Sequence, residues 1–240
     1  MSEAKSRELA KAQDKAVKLG ATPEGFAVMV CYLQAMLEKN KEISLTSITD
    51  FNEALYLHLL DSLHGLSYVY NAPDGILGDL GSGCGVPGVF LAIASGRETH
   101  LIDSVSKKMN AVASILDSQG LSNQIYCISA RIEELGNTSR GQYQALTCRA
   151  MDKLPVILEL ASPLLAMGGR LITYKGNLDG DEHSRARKAC EIVGMQEVAV
   201  DRFELEYDGS ARTICVYEKN AEPEISLPRR NGVAHKRPLA

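Results

Sequence analysis

Ile76-Leu77-Gly78-Asp79-Leu80-Gly81-Ser82-Gly83-Cys84-Gly85-Val86-Pro87-Gly88-Val89-Phe90-Leu91-Ala92-Ile93-Ala94 decides the fold. An apolar pair runs into closely spaced glycines and leaves through a second apolar run, the pattern of strand, glycine loop and helix. Gly81, Gly83 and Gly85 permit positive φ and close backbone approach to a ligand, and the helix that follows aims its unpaired N–H groups into the same space. Residues 83 to 88 also match the dinucleotide fingerprint G-x-G-x-x-G. Asp79 discriminates between ligands, because a carboxylate ahead of the first glycine repels a pyrophosphate and attracts a cationic amine or sulfonium. S-adenosylmethionine is therefore favoured over NAD as the cofactor.

Thr99-His100-Leu101-Ile102-Asp103 predicts the next strand, and Asp103 lies 22 residues beyond Gly81, close to the spacing of a ribose-hydroxyl acceptor. NAD and S-adenosylmethionine share that ribose contact, so Asp103 alone does not choose between them.

Outward from this unit the chain alternates strand and helix. Strands are expected at 76–80, 99–102, 124–128, 145–148, 170–174, 196–200 and 212–218, the last antiparallel, with helices over 86–95, 106–119, 154–166 and 182–192. Such alternation implies an α/β fold, a seven-stranded mostly parallel sheet covered on both faces, which is the Rossmann-like architecture of class I methyltransferases. Residues 1–70 read as an N-terminal helical extension: Thr22-Pro23 marks a cap and first helical position, and Asp50-Phe51-Asn52-Glu53 a capping box. The cofactor-binding domain is expected over 71–220 and a basic tail over 221–240.

With 26 Lys/Arg against 30 Asp/Glu, the formal net charge of −4 argues against a generic nucleic-acid binder, so any RNA contact must be local. Pro228 to Leu239 carries four basic residues and no acid, which fits either a phosphate-binding or a merely solvated tail. No 18-residue apolar run occurs and the first eight residues lack a signal-peptide core, so the expectation is a cytoplasmic protein without membrane contact. The six cysteines form no C-x-x-C pair, which predicts reduced thiols and no metal site.

Ligands of open α/β sheets sit beyond the carboxyl ends of the strands. There the sequence offers Ile132 and Glu133 for an adenine face and edge, Arg149 as a bidentate anion clamp, and Lys175 as a phosphate or base contact. His58 precedes the domain as a buried or acceptor-facing hydrogen-bonder. No Pro-Pro or Pro-Cys dipeptide occurs, so the amine-accepting tetrapeptide of many adenine-N6 methyltransferases and the usual C5-methylation nucleophile are both absent. A ring nitrogen such as guanine N7 already carries a lone pair and needs positioning only.

These residues resemble the bacterial 16S ribosomal RNA guanine-N7 methyltransferase family, ribosomal RNA small subunit methyltransferase G, also called glucose-inhibited division protein B. The resemblance rests on Ser44 to Thr49, His58-Leu59-Leu60-Asp61-Ser62-Leu63, Asp79 to Gly88, Asp103-Ser104, Arg149-Ala150, Lys175-Gly176 and Arg229 to Leu239. Ser44, Leu57 and Ile132 depart from the residues usual in the family. The resemblance implies methyl transfer from S-adenosylmethionine to a guanosine N7 in 16S rRNA of the small subunit; a monomer is expected, although the sequence itself does not set the oligomeric state. It implies that Gly81 and Val86 line the cofactor site, that Ile132 and Glu133 bracket the adenosine, and that Arg149, also expected to be catalytic, contacts the methionyl end. Asp79, Gly83, Gly85 and Asp103 complete the expected cofactor site; His58, Lys175, Arg229, Arg230, Lys236 and Arg237 are the expected RNA contacts. A small-molecule or protein methyltransferase, an NAD-dependent oxidoreductase and a non-catalytic ribosome-binding module remain the alternatives.

Overall fold

A computed structural model describes residues 3–240, with side chains from residue 6 onward. The N-terminal region is helical as expected. Helices α1 (Glu3–Lys18) and α2 (Pro23–Asn40) are followed by α3 (Phe51–Ala54), a π-helical segment (Leu55–Leu60), α4 (Asp61–Leu63) and α5 (Leu66–Tyr70). Thr22 caps α2 by accepting from the Gly25 amide at 3.0 Å, and Asp50 caps α3 by accepting from Glu53 at 2.9 Å.

The remainder forms one seven-stranded sheet from β1 (Leu77–Leu80), β2 (Thr99–Asp103), β3 (Ile125–Ser129), β4 (Tyr143–Arg149), β5 (Leu165–Lys175), β6 (Met195–Glu204) and β7 (Ala211–Lys219). Their order is β3-β2-β1-β4-β5-β7-β6, and β7 runs antiparallel to both neighbours. Helices α6 (Gly88–Ser95) and α7 (Ser106–Ser118) share one core with the N-terminal helices, built on Tyr32, Met29, Leu59 and Phe90. Helices α8 (Ile132–Thr138), α9 (Leu154–Ala161) and α10 (Gly180–Val193) enclose a second core on the other face with Leu158, Leu171, Tyr217 and Leu227.

The helix expected over 154–166 stops at Ala161. Pro163 has no N–H to extend the helical ladder, and two residues later Leu165 pairs with Tyr143 as the first residue of β5. The expected helix start at Val86 also moves, to Gly88, because Val86 and Pro87 still belong to the turn closed by the Val86 amide on the Ser82 carbonyl at 3.2 Å.

The tail folds back onto the second core and ends in α11 (Val233–Lys236). Leu227 and Ala234 are buried, the Asn231 amide side chain donates to Glu134 at 2.8 Å, and the Gly232 amide donates to Glu133 at 2.8 Å. Arg229 grips Glu159 through two nitrogens at 2.7 and 2.5 Å and donates to the Arg237 carbonyl. This corrects the expectation that Arg229 reads RNA phosphate: its guanidinium neutralises a carboxylate that is only 1% exposed inside α9. Arg230, Lys236 and Arg237 stay exposed, their side chains without hydrogen-bond partners among the described residues.

Arg229→Ala should lower stability by roughly 3 kcal/mol, because it leaves Glu159 buried and unpaired. Urea denaturation should show most of that loss recovered in Arg229→Ala/Glu159→Leu; an Arg229→Ala chain as stable as wild type would make the ion pair irrelevant to folding.

Candidate functional site

The carboxyl ends of β1, β2, β3 and β4 surround a cavity of about 290 Å3 lined by Gly81, Asp103, Ile132, Glu133, Ala150 and Met151 among others. Asp103 shapes it. One oxygen accepts from the Gly83 amide at 3.0 Å and the other from Val105 at 2.8 Å, so the acid holds the glycine loop against the exit of β2 while remaining only half-buried. Gly81 is at φ +68°, and an added Cβ would stand 3.2 Å from the Met151 side chain. Ile132 contributes an apolar wall. Glu133 stands at the rim, where it also receives the Gly232 amide.

Asp79, Gly83, Gly85, Val86 and Arg149, also expected to hold the cofactor, do not line this cavity. Asp79 is 0% exposed beneath the loop, where it accepts from Thr147 Oγ1 at 2.8 Å and from the Gly88 amide at 3.1 Å. Burial pushes its carboxyl up to about 7, against the lowering effect of those two hydrogen bonds. Asp79 therefore fastens β1 to the first amide of α6 instead of meeting a ligand amine. Val86 is packed in the first core. Gly85, at φ +82°, leaves room for the N-terminal helices: a Cβ there would lie 2.5 Å from the Tyr32 hydroxyl, which donates to the Cys84 carbonyl at 2.8 Å. Gly83 faces open space, its nearest neighbour to an added Cβ being the Gly81 carbonyl at 3.9 Å.

Ala150, at φ +54° the one non-glycine residue with positive φ among those described, lines this cavity and a second one of about 310 Å3. The second lies between the π-helical segment and the ends of β4, β5 and β7, lined by His58, Asp61, Arg149, Lys175 and Arg212. Arg149 turns into it and away from the first cavity, donating to the Leu57 carbonyl at 2.8 Å, Asp61 at 3.2 Å and His58 Nδ1 at 2.9 Å. In this structure its guanidinium is engaged by the helical extension. An arginine only donates, so His58 Nδ1 accepts and Nε2 carries the proton that it gives to Thr46 Oγ1 at 2.9 Å. Burial, assisted by the Arg149 charge, lowers the His58 pKa to about 4 and keeps the ring neutral. Lys175 is paired with Glu182 at 2.8 Å and donates to the Asp152 carbonyl at 2.9 Å, so its charge is already answered.

Arg212 was not anticipated. Sequence reasoning looked just past the parallel strands, whereas Arg212 opens antiparallel β7, whose beginning lies on that same edge of the sheet beside Lys175. Met151 was missed too, having no polar group to mark it. His64, six residues beyond His58, stacks on Phe203 at 4.2 Å in a different groove and takes no part.

Gly85→Ala should cost more stability than Gly83→Ala: both strain a positive φ by about 1 kcal/mol, but only the former also pushes into Tyr32. Equal thermal shifts would contradict this packing. His58 supplies a pH signature. Its folded pKa is depressed below the unfolded value, so its contribution is intact above about pH 6.5 and is lost as pH falls toward 4, roughly 2 kcal/mol between pH 7.5 and 5. Denaturation at the two pH values should show a smaller drop for His58→Gln than for wild type; identical drops would mean that the ring is not held neutral.

A family model described as rRNA small subunit methyltransferase G matches residues 26–214. The ribosomal RNA small subunit methyltransferase G of Deinococcus radiodurans is 35% identical over 232 residues, covering 95% of this chain and 90% of the relative. That of Desulfitobacterium hafniense is 32% identical over 211 residues, 87% of each chain. Among solved structures, a putative sarcosine dimethylglycine methyltransferase from Galdieria sulphuraria superposes with a TM-score of 0.55 at 12% identity, over 72% of this chain and 89% of that one. Geranyl diphosphate C-methyltransferase from Streptomyces coelicolor, solved with S-adenosyl-L-homocysteine, gives 0.52 at 14% identity, over 72% and 85%. The structural likenesses carry the fold, and the sequence match across both the helical extension and the sheet places the chain in the rRNA small subunit methyltransferase G family.

Proposed function

We propose that this member of the family transfers the methyl group of S-adenosylmethionine to N7 of a guanosine in 16S rRNA of the small subunit. The observation that carries the reading is the meeting of two dissimilar cavities at Ala150. The first suits a donor nucleoside. Asp103 presents carboxylate oxygens of the kind that accept ribose hydroxyls, Ile132 offers an apolar face for adenine, and the bare Gly81 backbone allows close approach. When bound, S-adenosylmethionine supplies an electrophilic methyl group on a sulfonium.

The second cavity suits an acceptor from an anionic polymer, because Arg149 and Arg212 outweigh Asp61 on its walls. N7 already holds the lone pair that attacks, so no base is needed. Neutral His58, with its two ring nitrogens engaged by Arg149 and Thr46, serves to aim the guanidinium. Cys148 supplies no nucleophile: it is 1% exposed and burial pushes its thiol far above the ordinary range. Catalysis then rests on in-line positioning and exclusion of water. The exposed cations Arg230, Lys236 and Arg237 lie on the tail that borders the first cavity and offer the local phosphate contacts that the net charge of −4 otherwise denies.

Small subunits methylated by the protein should release 7-methylguanosine on digestion, and borohydride followed by aniline should cleave the rRNA at one site. Asp103→Ala should weaken cofactor binding about ten- to a hundredfold by calorimetry and suppress that cleavage, while Cys148→Ser preserves it. A methyl group found on an exocyclic amine or on a pyrimidine C5 would refute the chemistry.

A further inference from the structure

Asp61 is 0% exposed, yet it meets two guanidiniums: Arg149 at 3.2 Å, and Arg212, whose Nε is shared between both carboxylate oxygens at 3.2 and 3.1 Å. Arg212 also donates through one terminal nitrogen to the Ala211 carbonyl at 3.4 Å. Its second terminal nitrogen has no hydrogen-bond partner among the described residues, although the side chain is only 23% exposed and lines the second cavity. With Nε tied to a buried carboxylate, the planar fork has a fixed direction, and both donors of that second terminal nitrogen remain for a ligand.

We propose that this free end of Arg212 binds a phosphate group of the RNA acceptor and so positions the target guanosine. The inference rests on the methyl-transfer reading above, which used Arg212 only for its charge, and gives that residue a specific ligand. Two considerations select phosphate over base. A guanidinium recognises guanine by bridging O6 and N7, but an N7 engaged in a hydrogen bond cannot offer its lone pair to a methyl group. Charge balance agrees. With Lys175 neutralised by Glu182 and His58 neutral, Arg149, Arg212 and Asp61 leave one uncompensated positive charge in the cavity. N7 methylation breaks the sulfonium carbon–sulfur bond, forms the carbon–nitrogen bond, and leaves the positive charge on the base. An Arg212-bound phosphate supplies the anion that lets a cationic product form there.

The test uses the full chain, small subunits and tritiated S-adenosylmethionine, with KM measured at several salt concentrations. Arg212→Gln should raise KM for small subunits at least tenfold, leave the calorimetric affinity for S-adenosylmethionine unchanged, and flatten the slope of log KM against log salt by nearly one, the loss of a single phosphate contact. Arg212→Lys keeps the charge without the fork; it should retain the slope and recover part of KM. With short RNA fragments, one methylphosphonate immediately 5′ or 3′ of the target guanosine should raise KM for wild type and not for Arg212→Gln, which identifies the phosphate. An unchanged salt slope in Arg212→Gln, a parallel loss of cofactor affinity, or indifference of wild type to both methylphosphonates overturns the assignment. A wild-type protein that leaves guanosine N7 unmethylated refutes the methyl-transfer reading instead, and the salt slope of RNA binding still reports on Arg212.

Discussion

Asp61 is sealed from water, and its carboxylate is held by arginines from two strands, Arg149 at the end of β4 and Arg212 at the start of β7. A carboxylate taken out of water is costly by several kcal/mol unless charged and hydrogen-bonded partners replace the lost hydration, so this ion is tolerable only while both guanidiniums stay in place. The constraint runs in the other direction as well. Arg149 is the partner of Leu57, His58 and Asp61 at once, which fixes the helical extension against the edge of the sheet where ligands are met. Removing Asp61 would leave two guanidiniums facing one another, and removing either arginine would strip the buried carboxylate of one of its two charged donors.

The backbone of the extension makes this convergence possible. Between Leu55 and Leu60 the chain winds as a π-helix, a rare conformation that changes the angular spacing of successive side chains and is commonly found at functional sites. With it, the Leu57 carbonyl, His58 and Asp61 all address one guanidinium, while Leu55 and Leu59 still enter the apolar core. Tyr174 braces the same segment by donating to the Ser62 carbonyl at 2.6 Å, and Gly65 is small because a Cβ would overlap that tyrosine. On the other side, Tyr32 reaches the Cys84 carbonyl and Asp79 reaches the Gly88 amide, so the glycine loop is pinned from the extension above and from the sheet below.

The strand, loop and helix were legible because their signals are local: glycine at positive φ, the apolar runs, and the spacing from Gly81 to Asp103. The long-range pairings were not. Asp79 carried the right charge for an amine, but its side chain lies beneath the loop, and residue type alone does not give that direction. Arg149 finds its partners about ninety residues earlier in the chain, and no spacing rule encodes such a meeting. Arg212 was hidden by strand polarity. The tail was misjudged at Arg229 for a different reason, since its partner did leave a trace: Glu159 is a lone acid in the apolar run Leu154 to Ala161, and such an acid commonly signals a buried cation. Where phosphate contact was expected of four tail cations, packing has claimed one and left Arg230, Lys236 and Arg237 to solvent.

That division links the two cavities to the surface around them. The same tail that carries the free cations donates its Gly232 amide to Glu133 at the rim of the first cavity, and His235 reaches Asp152 at 2.7 Å beside Met151. Asp152 in turn receives Lys175 through its carbonyl, and Lys175 lines the second cavity. A carboxylate has more acceptor sites than one amide can fill, so Glu133 retains capacity for a ligand while it anchors the tail. The rim of the first cavity, the wall of the second and the basic tail therefore share supports, and displacement of the tail would disturb both cavities. Rigid sharing of this kind suits a reaction whose whole demand on the protein is the relative placement of two bound groups.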